Sequence, residues 1–159
     1  MYPTKEEILK EKPKFRKGTI LITNLWKTTA FKGWKKEENW VKTEKLGLLI
    51  EALSALHRKK SPGIILGHEY CFDIRQKAIC LDINNPSIIS SLHELGHYLY
   101  GSSELKACRW SIWLFKECFP ELYKQLEWKK HMLVKKKEET ERCVKCGEKI
   151  EGHYIHFNC

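Results

Sequence analysis

The segment that most constrains this chain is His93-Glu94-Leu95-Gly96-His97. Residues four apart on a helix share a face, so a helix here directs two imidazoles at one point with Glu94 beside them. Its surroundings read as such a helix: Asn85 can cap it, Pro86 suits the first helical position, and Ile88, Leu92, Leu95 and Leu99 trace one apolar stripe before Gly101 stops it. Two histidines and a glutamate crowded against an apolar stripe answer no packing need. They suit a metal ion.

His93 and His97 with one further protein ligand would leave Zn²⁺ an open position for water and lower that water's pKa towards ~7. Glu94 would then take the water's proton as it attacks a carbonyl, which makes Glu94 the candidate catalytic base and peptide hydrolysis the implied reaction. Glu104, Glu117, Glu121 and His131 are available as third ligand. Glu104 is preferred, because a turn at Gly101 and a cap at Ser102 or Ser103 let the next helix double back under the first. A first-turn carboxylate answering the helix dipole is the other reading of Glu104. Tyr98, Tyr100, His68 and His131 are candidates to steady an oxyanion, and spacing does not choose among them.

Around this helix the pattern is mixed. Residues 4–12 read as a short peripheral helix capped by Thr4 and stopped by Pro13. Thr19-Ile20-Leu21-Ile22-Thr23 is β-branched and favours a strand, followed by an irregular aromatic stretch with Trp26, Phe31, Trp34 and Trp40. Leu46, Leu49, Ile50, Leu53 and Leu56 predict an amphipathic helix within residues 38–59. Three β segments follow, at 63–66, 69–74 and 77–83, the last two forming a hairpin across Arg75-Gln76. After the motif helix, a second helix runs to about Cys118, and Pro120 opens a third through Leu122, Leu126 and Trp128.

Near the C-terminus Cys143-Val144-Lys145-Cys146-Gly147 and His156-Phe157-Asn158-Cys159 place two pairs at two-residue spacing. Four such ligands (Cys143, Cys146, His156 and Cys159, with His153 competing for the place of His156) make a closed tetrahedral site, and so short a segment needs the metal to fold. The expectation is therefore one catalytic and one structural zinc, in a domain of residues 1–137 and a knuckle or ribbon of residues 138–159. Cys71, Cys80, Cys108 and Cys118 lie in apolar runs where a thiol acts as a small hydrophobe. With no apolar run long enough to span a bilayer, a soluble, cytoplasmic protein in a reducing compartment is expected, with no membrane partner. A formal charge of +9, with Lys and Arg concentrated near residues 5–17 and 129–137, permits nucleic acid as a partner of the C-terminal region beside a protein or peptide substrate.

His93-Glu94-Leu95-Gly96-His97 followed by Glu104-Leu105-Lys106-Ala107 resembles the HExxH plus ExxA pattern of gluzincins. Residues 79–114 are similar to the small intracellular zincins of the ImmA/IrrE kind, in which a strand precedes the HExxH helix. The resemblance covers about a quarter of the chain. It implies an α+β, zincin-like minimal gluzincin core with a short antiparallel sheet before the motif helix, zinc on His93, His97 and Glu104, and Glu94 as the base of an intracellular endopeptidase. The interval from His97 to Glu104 is shorter than in most gluzincins, and a metzincin pattern is absent, since Tyr100 and Ser103 stand where Gly and His are required. A zincin core, a zinc knuckle and a basic surface together resemble SprT-like proteases of DNA-bound proteins, the alternative alongside a zinc-knuckle nucleic-acid-binding protein.

Overall fold

Residues 2–129 and 132–136 are described by a computed structural model, and over them the chain is mixed α+β. The stretch whose β-branched residues favour a strand is instead helical. Helix α2 (Thr19–Ala30) buries Thr19, Thr23, Trp26 and Ala30, a four-three-four spacing that places one face on the core and leaves Leu21 and Leu25 in solvent. Tertiary packing here overrides β propensity. The aromatic stretch expected to be a loop is thus partly helix, ending in a 3₁₀ turn over Trp34–Lys36. Before it, α1 (Lys5–Lys10) carries a reciprocal capping box between Thr4 and Glu7. It is less peripheral than its charge suggests, because Ile8 is fully buried beside Cys108 and Ile112.

Helix α3 (Asn39–Leu56) buries Leu46, Leu49, Ile50 and Leu53 as the periodicity predicts. Strands β1 (Gly63–Gly67), β2 (Cys71–Asp73) and β3 (Ala78–Asp82) form a sheet in the order β1-β3-β2. The expected hairpin is present between β2 and β3, but β1 pairs with β3 in parallel, so the sheet is mixed rather than antiparallel. β3 takes the centre because it is the strand that buries Ala78, Ile79 and Leu81. Cys71 and Cys80 are direct partners in the β2–β3 register and are joined as a disulfide. The reading of the cysteines as small hydrophobes therefore holds only for Cys108 and Cys118, which are free and buried.

The motif helix α4 (Ile88–Tyr100) starts later than expected. Ser87 is its cap, accepting from the Ser90 N–H at 3.2 Å, while the Asn85 carbonyl accepts from the Tyr70 hydroxyl at 2.8 Å. It ends at Gly101, whose φ of +95° falls in the region glycine tolerates best. Ser103 caps α5 (Glu104–Cys118), and Pro120 opens α6 (Pro120–Lys124). The third helix is shorter than expected: β4 (Leu126–Lys129) and β5 (Met132–Lys135) form a hairpin whose Trp128 and Leu133 lie on the Ile8, Cys108 and Ile112 patch. That non-local apolar contact favours the hairpin over continued helix. The main core joins α2, α3, β3, α4 and α5 around Leu46, Leu53, Leu81, Leu92, Leu95 and Leu114. No helix among the described residues is long and apolar enough to cross a membrane.

Candidate metal centre

The site is built by two helices that nearly touch. A Cβ placed on Gly96 would lie 3.2 Å from the Ala107 Cα and 3.3 Å from its carbonyl oxygen. Glycine in the middle of the HELGH segment and alanine three residues after Glu104 therefore let α4 and α5 approach backbone to backbone. A connection of three residues, Gly101 to Ser103, turns the chain between them, with the Gly101 N–H on the His97 carbonyl at 2.9 Å. Ser103 accepts from the Lys106 N–H at 3.2 Å and so fixes the first turn of α5, on which Glu104 sits.

The result brings Glu104 between both imidazoles. His97 Nε2 lies 2.8 Å from Glu104 Oε1, and His93 Nε2 lies 3.2 Å from Glu104 Oε2. The two rings are perpendicular, with centroids 4.8 Å apart. His97 Nδ1 faces the Gly101 carbonyl at 2.9 Å. A carbonyl only accepts, so Nδ1 carries the proton, and in the neutral ring Nε2 is a lone pair. In that form the lone pair faces a carboxylate oxygen at 2.8 Å; a ring protonated on both nitrogens would donate to it instead. Glu104 Oε2 is itself buried without a hydrogen-bond donor. A carboxylate oxygen left without a donor beside two imidazole nitrogens is a place that a cation fits.

The donor set suits a metal. His93, His97 and Glu104 offer three ligand atoms within 4.8 Å of one another, forming the one such group among the described residues. Two imidazole nitrogens and one carboxylate oxygen are the borderline-hard set of a three-ligand site with an open position. Glu104 thus serves both sequence readings, as a first-turn carboxylate and as the group opposite the two histidines. Of the other proposed third ligands, Glu117 pairs with Lys12 and Glu121 lies outside this group. His131 lies outside the described residues, as do Cys143, Cys146, His153, His156 and Cys159.

Glu94 is only 9% exposed and lines a cavity of about 470 Å³ with His93, Glu104, Cys108, Tyr70 and Ile112. Burial pushes its carboxyl up to about 7, with the Glu104 charge adding to the effect and His97 opposing it. Burial likewise lowers His93, against the pull of Glu104. Of the residues considered for an oxyanion role, the three that lie among the described residues are engaged elsewhere. The Tyr98 hydroxyl donates to the Lys60 carbonyl, Tyr100 bonds His57 at 3.1 Å, and His68 meets Asn84 at 3.0 Å.

Two contributors escaped the sequence reading. Tyr70, just before β2, lines the cavity and accepts the Ser87 N–H at 2.7 Å, tying the sheet to the start of α4. No local pattern announces it. Cys108 brings its sulfur 3.8 Å from His93 Nδ1. It lies four residues after Glu104, so the same helical arithmetic that pairs His93 with His97 would have found it. Burial, with Glu104 and Glu94 nearby, raises its thiol to about 12, which keeps it protonated at neutral pH. Compared with known proteins, the chain matches no family model, no curated sequence and no solved structure.

Proposed function

We propose that the chain is a zinc-dependent endopeptidase with a minimal gluzincin-like core. The observation that carries this reading is the Glu104 carboxylate set against the Nε2 atoms of both motif histidines, with one oxygen lacking any hydrogen-bond donor. His93, His97 and Glu104 would hold the ion. When bound, it supplies a Lewis acid that polarises the scissile carbonyl and acidifies the attacking water.

The chain's own groups do the rest. Glu94 follows His93 on the cavity wall, where its carboxylate can take the water proton and pass it to the leaving amine nitrogen. Its burial strips away competing solvent and raises its basicity. Ile89, Ile112 and Leu133 give the cavity an apolar wall for a substrate side chain. Tyr70 brings the β2 end of the sheet to the same cavity, so the substrate backbone can align on that edge. A second, structural zinc on Cys143, Cys146, His156 and Cys159 belongs to the same proposal.

The test is metal content and proteolysis of the wild type against Glu94→Gln. About two zinc ions per chain are expected in both, with hydrolysis of an unfolded protein substrate reduced about 10²–10⁴-fold in the variant. A wild type that retains no metal at His93 and His97 overturns the reading. The pH dependence has a defined sign, because Glu94 acts as a base only when deprotonated. Activity should fall as pH drops, with a midpoint below the metal-free value of about 7, since the bound cation favours the anion. Activity that rises on acidification would contradict this assignment.

A further inference from the structure

On the side of α5 turned away from the metal centre lies a second cleft. Successive residues of a helix are rotated by about 100°, so Lys106, Arg109 and Trp110 point away from Glu104, Cys108 and Ile112. The first three line this cleft and the other three the metal cavity, and the two share no residue. The cleft has a volume of about 210 Å³, with the connector after α1 as one wall and the end of α4 as another. That is room for a small ligand or a single side chain, not for a folded surface.

Its charge is unbalanced. Lys12, Lys14, Lys106 and Arg109 line it against one acid, Glu11. Two of the cations are answered: Lys12 pairs with Glu117, and Arg109 donates to the Glu7 carbonyl at 2.7 Å and lies 3.6 Å from Glu11. Those bonds fasten α1 and its connector to α5 and so fix the cleft. Lys14 and Lys106 are exposed, and their side chains have no partner among the described residues. Arg16 stands close enough for its charge to act on Tyr100. The remaining wall is aromatic, with Tyr100 and Trp110 at a ring-centroid distance of 6.0 Å. Trp110 is 2% exposed, and its indole N–H has no acceptor. Buried donors without an acceptor are uncommon, and this one lies in the same wall as the unanswered cations.

We propose that this cleft binds a small aromatic phosphate monoester, the phosphate held by the Lys14 and Lys106 ammonium groups and the ring set against Tyr100. Two unanswered cations select a dianion. A phosphate monoester carries close to two negative charges at pH 7 and three acceptor oxygens, whereas a carboxylate or a phosphodiester carries one charge. Lysine suits a tetrahedral anion, because its ammonium is a point charge with rotatable donors. The ring of the ligand covers aromatic surface that an inorganic ion would leave bare. The site is independent of the metal centre, and a chain that holds no zinc would still carry it.

Titration calorimetry of the full chain with phenyl phosphate, inorganic phosphate and benzoate tests this. Phenyl phosphate should bind most tightly. Inorganic phosphate, which lacks the ring, should bind about three- to tenfold more weakly, and benzoate, with the ring but one charge, about tenfold or more. Lys14→Gln and Lys106→Gln should each weaken phenyl phosphate about tenfold without disturbing the fold, since both side chains are exposed. In proton–nitrogen spectra the Trp110 indole resonance should move as phenyl phosphate is added, because an anion beside the ring changes the field at its N–H. Absence of phenyl phosphate binding overturns the proposal, as does equal binding by the double variant Lys14→Gln, Lys106→Gln, or an unmoved Trp110 indole. A single-stranded oligonucleotide that binds through the same lysines while phenyl phosphate does not would make the ligand a polyanion, and also overturns it. A phosphotyrosine peptide that binds more tightly than phenyl phosphate places the monoester on a protein side chain, and equal binding places it on a free small molecule; both results uphold the site.

Discussion

The α4–α5 pair and the α2–α3 pair hold together by opposite means. Between α4 and α5, Gly96 meets Ala107 and the backbones nearly touch. Beside α3, α2 contributes Trp26, whose indole N–H donates to the Lys45 carbonyl at 2.7 Å and whose ring lies edge-on to Trp34 and Phe119. Bulky rings fill space and bury area but keep helix axes apart. Small residues bury little, yet they bring short polar side chains from two helices to one point. The first arrangement yields stability without chemistry, the second a site.

The largest expected effect breaks the aromatic side of this comparison. Trp26→Ala empties the centre of the ring cluster and should lower unfolding free energy by about 3–5 kcal/mol in urea titrations. Zinc affinity of the fraction that remains folded should not change, since Trp26 touches none of His93, His97 or Glu104. A parallel loss of zinc affinity in the folded fraction would show that the two helix pairs are one mechanical unit and defeat the contrast.

The same contrast explains what was legible in the sequence. The α4–α5 unit is encoded locally: the apolar stripe, the Gly101 stop, the Ser103 cap and Glu104 just beyond it follow within a short span, and all are where the pattern places them. Asn85 and Pro86 have the chemistry of a helix start, but Tyr70, distant in sequence, donates to the Asn85 carbonyl and accepts from the Ser87 N–H that an Asn85 cap would bind. Helix α2 was hidden because β-branched residues spoke for a strand, while the spacing of Thr19, Thr23, Trp26 and Ala30 has meaning only once a core lies on one side. The β4–β5 hairpin depends on an apolar patch from α1 and α5 that no local window contains. Cys71 and Cys80 were readable in principle, since a hairpin turning at Arg75-Gln76 sets them opposite each other.

A smaller effect should break the close-packed side. Gly96→Val forces α4 and α5 apart, because even a single Cβ there meets Ala107 backbone at 3.2 Å. Overpacking of this kind costs about 1–3 kcal/mol, less than Trp26→Ala. Zinc affinity should nevertheless fall about tenfold or more, because Glu104 is carried away from both histidines. Ala107→Gly in the same chain removes only the Ala107 Cβ and leaves the backbone atoms that lie closest, so the double variant should stay near the affinity of Gly96→Val. Full recovery in the double variant would mean that the Ala107 side chain, and not the backbone contact, sets the distance.

The smallest expected effect sharpens the comparison most. Ser103→Ala removes the side-chain acceptor of the Lys106 N–H at the start of α5, a loss of about 1 kcal/mol. On an aromatic-packed helix such a loss would remain a matter of stability. Here the turn that frays carries Glu104, whose carboxylate must stay opposite both His93 and His97. Zinc should therefore bind more weakly, and Ser103→Asp, which keeps a side-chain acceptor at the cap, should restore it while Ser103→Ala does not. Unchanged zinc affinity in Ser103→Ala, measured by chelator competition, would place the control of Glu104 in the Gly96–Ala107 contact alone.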